Sequence, residues 1–321
     1  MQHGENGVCD PLVSIQRVLD NVNTVLVGKN EVIRLCLVAL ISKGHVLLED
    51  VPGVGKTLLV RALARSLGCD YKRISFTPDL LPADVTGTDI YNREREQFEF
   101  RPGPIFAQIV LADEINRTSP RTQSALLEAL EERTVSCDGV THQLPTPFFV
   151  LATQNPMEYI GTYSLPESQL DRFLMKLSLG YPDASEERAV LMRGIDGTGV
   201  DILQPVVSSN EVISWQKEVE KIIVSEHIYG YLVNLLQSTR THPALLLGVS
   251  PRGGVAMIKA ARALAWMEGR AFVIPDDIKR LVESVFSHRI LLHSKALMEG
   301  RDAQSVILQI ASETAVPVPA V

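Results

Sequence analysis

The chain has 321 residues, 45% of them hydrophobic and 21% charged, which predicts two domains with apolar cores of their own and excludes a disordered chain. Its formal net charge of −7, from 31 basic and 38 acidic residues, offers no global positive field to nucleic acid or an anionic membrane. No apolar run reaches about 18 residues and the N-terminal MQHGENGVCDP lacks a basic and then apolar leader, so a cytoplasmic protein without direct membrane insertion is expected.

From about residue 12 to residue 42 apolar positions recur at helical spacing, with a break at Val27-Gly28-Lys29-Asn30 that predicts two helices. His45-Val46-Leu47-Leu48 follows as a short strand ending in a Gly/Pro cluster, and amphipathic periodicity then runs from Thr57 to Leu67, where Gly68 stops it. Further β-type runs are Arg73 to Phe76, Ile109 to Ala112, Phe148 to Ala152 and Lys176 to Leu179. Five strands alternating with helices argue an α/β fold with a doubly wound, mostly parallel sheet. The polar stretch between Phe76 and Ile109, and a hairpin from Thr134 to Leu144 turning at Asp138-Gly139, read as insertions into it. After Tyr181-Pro182-Asp183 the strand signal nearly disappears, and Gly194 to Ser209 is rich in Gly, Asp and Pro. This divides the chain into 1–183 (an α/β core with N-terminal helices), 184–205 (linker) and 206–321 (a small all-α domain). Helices are expected in the last part over 210–222, 226–239, 252–268 and 275–287, the final one opened by Pro275 with Asp276 and Asp277 in its first turn. The cysteines Cys9, Cys36, Cys69 and Cys137 form no C-x-x-C pair, and His288 and His293 have no cysteine partner at zinc spacing; buried free thiols are expected.

Two motifs carry chemistry. Asp50-Val51-Pro52-Gly53-Val54-Gly55-Lys56-Thr57 fits a Walker A phosphate loop, except that Asp50 stands where the pattern has its first glycine. The loop leaves a buried-type strand and enters a helix, so backbone N–H groups of Gly53 to Thr57 and the helix dipole converge on phosphate. Lys56 would neutralise β/γ-phosphate charge and Thr57 would ligate magnesium. Ile109-Val110-Leu111-Ala112-Asp113-Glu114 places two carboxylates at the end of an apolar strand, where open α/β sheets bind ligands. Asp113 can hold magnesium while Glu114 polarises the water that attacks the γ-phosphate. ATP and Mg²⁺ are the cofactors this pair implies.

With both motifs placed, the chain from about Val27 to about Leu292 resembles the AAA+ superfamily. Within it, the resemblance is to MoxR ATPases of the clade with a helix-2 insertion and a hairpin before sensor 1. Beyond the two motifs, it rests on Asp113-Glu114-Ile115-Asn116-Arg117, Ala152-Thr153-Gln154-Asn155-Pro156, Leu165 to Phe173 and Ser250-Pro251-Arg252. It implies a P-loop AAA+ core followed by a helical lid. Asn155 matches sensor 1, which orients the attacking water, and Arg252 matches sensor 2, which reaches from the lid onto the γ-phosphate. Arg172 looks like the arginine finger that serves a neighbouring subunit, with Arg117 and Arg121 as rivals. Val27 and Gly28 match the adenine-contacting segment, and Leu58 continues the cradle of Gly53, Val54, Gly55, Lys56 and Thr57. The resemblance also implies a hexameric ring and a partner with a von Willebrand factor A domain.

Three classes of ATP user compete. A MoxR-type motor would remodel or mature partner proteins by conformational change. A helicase or clamp loader is disfavoured by the acidic charge and by the lack of a helix-turn-helix module, so no nucleic acid is expected. A small-molecule kinase is disfavoured because Asp113-Glu114, Asn155 and the lid suit water as the nucleophile. Magnesium-chelatase motor subunits share the insertions and are the nearest alternative within AAA+.

Overall fold

A computed structural model describes residues 11–156, 162–196 and 199–316. Helices α1 (Pro11–Asn23) and α2 (Asn30–Ile41) lead into β1 (Val46–Glu49), α3 (Lys56–Ser66) and β2 (Tyr71–Ser75). A short α4 (Pro82–Thr86) and the hairpin of β3 (Gly87–Asn92) and β4 (Gln97–Pro102) precede β5 (Ile109–Asp113) and α5 (Pro120–Glu132). A second hairpin, β6 (Thr134–Cys137) with β7 (Val140–Gln143), precedes β8 (Phe149–Gln154), α6 (Glu167–Leu170) and β9 (Met175–Leu177).

The five expected strands form one sheet in the order β2-β5-β8-β1-β9, and each neighbouring pair is parallel. Its central strands are apolar on both faces, as a sheet covered by helices on both sides requires. Val46, Leu48, Ile109, Leu111, Phe149 and Leu151 enter the core shared with α1, α2 and α3. The alternate positions Leu47, Val110, Ala112, Val150 and Ala152 enter the core closed by Leu126, Leu127 and Leu130 of α5. This strand order sets β8 between β1 and β5. Because all three run the same way, the phosphate loop, Asp113-Glu114 and Asn155 emerge at one edge of the sheet.

Both insertions are antiparallel hairpins. The second turns at Asp138 and Gly139 with φ of 46° and 83°, the left-handed pair that a two-residue turn needs to match strand twist. Phe100 of β4 stacks on His142 of β7 with ring centroids 3.8 Å apart, and Phe106 stands edge-on to both rings. The hairpins thus share an aromatic joint.

Past β9 the structure differs from the sequence reading. Helix α7 (Ala184–Asp196) occupies most of the stretch expected as linker. The segment after it returns to the core, where Val200, Leu203 and Val207 are buried and the Val206 N–H donates to the Ser66 carbonyl at 2.9 Å. The sequence signal for α7 is weak because Val190, Leu191 and Met192 are consecutive and all three are exposed, which marks no core-facing stripe among the described side chains.

The four expected lid helices are α8 (Ser209–Val219), α9 (Glu226–Thr241), α10 (Pro251–Met267) and α11 (Pro275–Phe286), with small shifts at their ends. The sequence reading lacked α12 (Ser294–Met298), α13 (Ala303–Glu313) and the antiparallel pair of β10 (Leu245–Leu247) with β11 (Leu291–Leu292). One apolar cluster runs from α1, α2 and α3 into the lid helices, so core and lid are packed together. Cys36 is buried and Cys69 and Cys137 are partly buried, all three as free thiols; burial pushes the Cys36 and Cys69 thiols up to about 12. Cys9 lies outside the described residues. Among the described residues no helix is long and apolar enough to cross a membrane.

Candidate functional site

The phosphate loop spans from Glu49, the last residue of β1, to Lys56, the first of α3. Gly53 and Gly55 have φ of 86° and 98°, a region that side chains with a Cβ rarely adopt. Gly55 is the N-cap of α3 and no side chain caps that helix, which leaves its first-turn N–H groups available to an anion. Lys56 folds back along the loop, with Nζ donating to the Asp50 carbonyl at 2.9 Å.

Asp50, the departure from the glycine of the usual pattern, has a structural purpose. Its carboxylate is buried and accepts hydrogen bonds from Ser178 Oγ at 2.7 Å, the Leu179 N–H at 2.7 Å and the Gly180 N–H at 3.1 Å. It bolts the start of the loop to the chain leaving β9. Beside it, Glu49 accepts from Gln154 Nε2 at 2.6 Å and Lys176 Nζ at 2.7 Å.

Asp113 ends β5. Its Oδ1 accepts from Thr153 Oγ1 at 2.7 Å, and its Oδ2 accepts from Arg73 Nε at 3.1 Å and Nη2 at 2.5 Å. Glu114 has φ 59° and ψ 50°, a left-handed conformation that is costly for such a residue and concentrates at functional sites. Thr153 helps to fix it, because Thr153 Oγ1 also accepts the Glu114 N–H at 2.8 Å. Glu114 Oε2 lies 2.8 Å from Arg117 Nη1. Asn155 is buried just beyond β8, its carbonyl 3.4 Å from Asn116 Nδ2.

Gly53, Gly55, Lys56, Thr57, Leu58, Asp113, Glu114 and Asn155 thus come together around one cavity of about 440 Å³, which Pro52 and Arg73 also line. Sequence reasoning missed Arg73 and Thr153; Arg73 opens an expected strand and Thr153 lies just past the end of another, and only the pairing of β2 and β8 with β5 brings them to Asp113. Thr57 and Asp113 both line this cavity, and their hydroxyl and carboxylate are hard oxygen donors of the kind that suits Mg²⁺. Val54 is buried and is not a lining residue. Val27 and Gly28 do not line the cavity either; they occupy the turn between α1 and α2, next to Leu26. A Cβ built on Gly55 would lie 3.4 Å from Leu26 Cδ1, so that turn abuts the loop.

Arg172 and Arg252 are placed elsewhere. They meet in a second cavity, of about 300 Å³, at the junction of core and lid. Arg172 Nε is 3.2 Å from Glu131 Oε2 and Arg252 Nη2 is 3.0 Å from Glu131 Oε1. The reach of Arg252 from the lid onto its own chain's phosphate loop is therefore not seen. The reason is the docking of α10: its N-cap Ser250 donates to Asp171 Oδ2 at 3.3 Å, and buried Arg289 binds Asp171 Oδ1 at 2.6 Å. Of the rivals to Arg172, Arg117 is engaged with Glu114 of its own chain, and Arg121 is exposed in the first turn of α5.

Comparison with known proteins agrees with this geometry. Residues 45–175 match the ATPase family associated with various cellular activities (AAA), and residues 237–310 match the AAA lid domain. The Mycobacterium tuberculosis protein Chaperone MoxR1 is 40% identical over 323 residues, covering 98% of this chain and 85% of its own. The chain belongs to the MoxR family of AAA ATPases. Another relative, the uncharacterised protein YeaC of Bacillus subtilis, is 55% identical over 302 residues, 94% of each chain. A crystal structure of a candidate ATPase from Cytophaga hutchinsonii superposes with a TM-score of 0.89 at 38% identity, covering 96% of each chain. The MoxR fold seen here, a parallel sheet with a helical lid, is thus shared along nearly the whole chain.

Proposed function

We propose that this chain binds ATP with Mg²⁺ and hydrolyses it in the cytoplasm as a homo-oligomeric ring, most simply a hexamer, and uses the resulting motion to remodel or mature partner proteins. The observation that carries the reading is the meeting of Lys56, Thr57, Asp113, Glu114 and Asn155 around one cavity at the edge of the parallel sheet. Lys56 neutralises β/γ-phosphate charge, and Glu114 takes the proton of the attacking water that Asn155 orients. Mg²⁺ held by Thr57 and Asp113 supplies charge neutralisation on the phosphate oxygens. In the present arrangement Arg73 holds Asp113 and Arg117 holds Glu114; phosphate offers both guanidiniums a stronger anion, which frees the carboxylates for metal and water.

Arg172 and Arg252 do not reach the phosphate loop of their own chain, and they act on the nucleotide of an adjacent subunit. The name of the Mycobacterium tuberculosis relative supports the chaperone reading. A protein with a von Willebrand factor A domain is the expected partner. Calorimetry and phosphate release separate the roles: Lys56→Ala loses ATP binding, whereas Glu114→Gln binds ATP and loses turnover by about 10²-fold or more. Full turnover in Glu114→Gln would remove Glu114 from the mechanism.

A further inference from the structure

Glu131 has no assigned role, yet it is the carboxylate on which the two displaced arginines converge, one oxygen for each. The cavity around it also holds Lys43, Arg133, Lys259 and Arg289. Its other carboxylate, Asp171, is engaged by Arg289 and Ser250. Glu131 is therefore the anion that lets Arg172 and Arg252 lie side by side against their mutual repulsion. Arg172 belongs to the core and Arg252 to the first turn of the lid helix α10, so the carboxylate also joins the two parts of the molecule.

Its position argues against a role in helix stability. Glu131 lies in the last turn of α5, beside Glu132, at the negative end of the helix dipole. A carboxylate there is unfavourable to the helix unless cations meet it. The cations that do are Arg172 and Arg252, both partly exposed, with 29% and 47% of their side-chain surface accessible.

We infer that Glu131 is a positioning residue: it holds the core's Arg172 and the lid's Arg252 at one point, so that they reach a neighbouring subunit's nucleotide together. This rests on the trans reading above. Without the carboxylate the two guanidiniums separate and the transition-state charge across the interface is left less well met.

Glu131→Gln keeps the size of the side chain and removes a charge that α5 disfavours, so it folds. The expected result is a fall in kcat of roughly 10-fold or more, with unchanged ATP affinity and an unchanged thermal midpoint. Mixed with Glu114→Gln, it should recover activity, because one interface then combines an intact Glu114 with an intact Glu131, Arg172 and Arg252. Arg172→Ala mixed with Glu114→Gln is the control, with mixed rings verified by mass. If the control recovers while Glu131→Gln keeps full turnover by itself, or is not rescued by Glu114→Gln, the role of Glu131 is overturned and the trans reading survives. If the control fails although mixed rings form, the trans reading falls, and the role of Glu131 falls with it.

Discussion

Asp50 shows how one substitution in a familiar loop is held in place. Replacing it by Ala leaves Ser178 Oγ and the N–H groups of Leu179 and Gly180 without their acceptor in a buried place. This should cost about 2–4 kcal/mol of stability and weaken nucleotide binding by loosening the loop. Denaturant titration checks it, and a midpoint equal to that of the unaltered protein would contradict the bolt. A second consequence is a pH dependence at His45. Its Nδ1 accepts the Val150 N–H at 3.0 Å and its Nε2 meets the Leu130 carbonyl at 3.1 Å. Burial, reinforced by the charge of Arg133 and partly opposed by that carbonyl, lowers the ring to about 3 from 6.5. The unfolded chain therefore binds the proton first, so this contribution to stability is fully present above about pH 6.5. It is lost at up to about 1.4 kcal/mol per pH unit as pH falls toward 3. Denaturation midpoints from pH 7.5 to 4.5 should fall accordingly, and less steeply in His45→Gln. At this scale Lys56, Asp113, Glu114 and Asn155 were legible because each follows an apolar strand run. Arg73, Thr153 and the purpose of Asp50 were not, since their partners are distant in sequence and only the strand order selects them.

The two inserted hairpins were legible in outline, the second through Asp138-Gly139, but not their joint, because nothing in sequence pairs Phe100 with His142. The joint predicts that they open together. Phe100→Ala removes the stacked face, and amide exchange in β6 and β7 should quicken several-fold while β5 and β8 keep their protection. Unchanged exchange in β6 and β7 would show that the hairpins move independently. Helix α7 marks the opposite case: its exposed Val190, Leu191 and Met192 hide the periodicity on which sequence reading depends. In the lid, Ser250-Pro251 signals the start of α10, where Ser250 Oγ accepts the Gly253 N–H at 3.2 Å. The contact of that start with Asp171 is what moves Arg252 away from its own phosphate loop, and it arises only once lid and core pack.

As a whole, the molecule carries its phosphate loop, Asp113 and Glu114 around one cavity and Arg172 and Arg252 in another. Under the proposed trans arrangement a chain holds half of each of two sites, and ATP should then favour assembly by linkage, since nucleotide binds best where a neighbour completes its surroundings. In sedimentation velocity, Glu114→Gln with Mg²⁺ and ATP should shift from small species to a closed ring; a strict monomer at tens of micromolar protein would argue against it. In the proposed mechanism ATP is hydrolysed at a site completed by the adjacent subunit. The most direct measurement is phosphate release per subunit as the unaltered protein is diluted at saturating Mg²⁺ and ATP. Turnover per subunit should be constant while rings persist and collapse toward zero once they dissociate, whereas the same turnover in a dissociated monomer would show that each subunit hydrolyses ATP by itself.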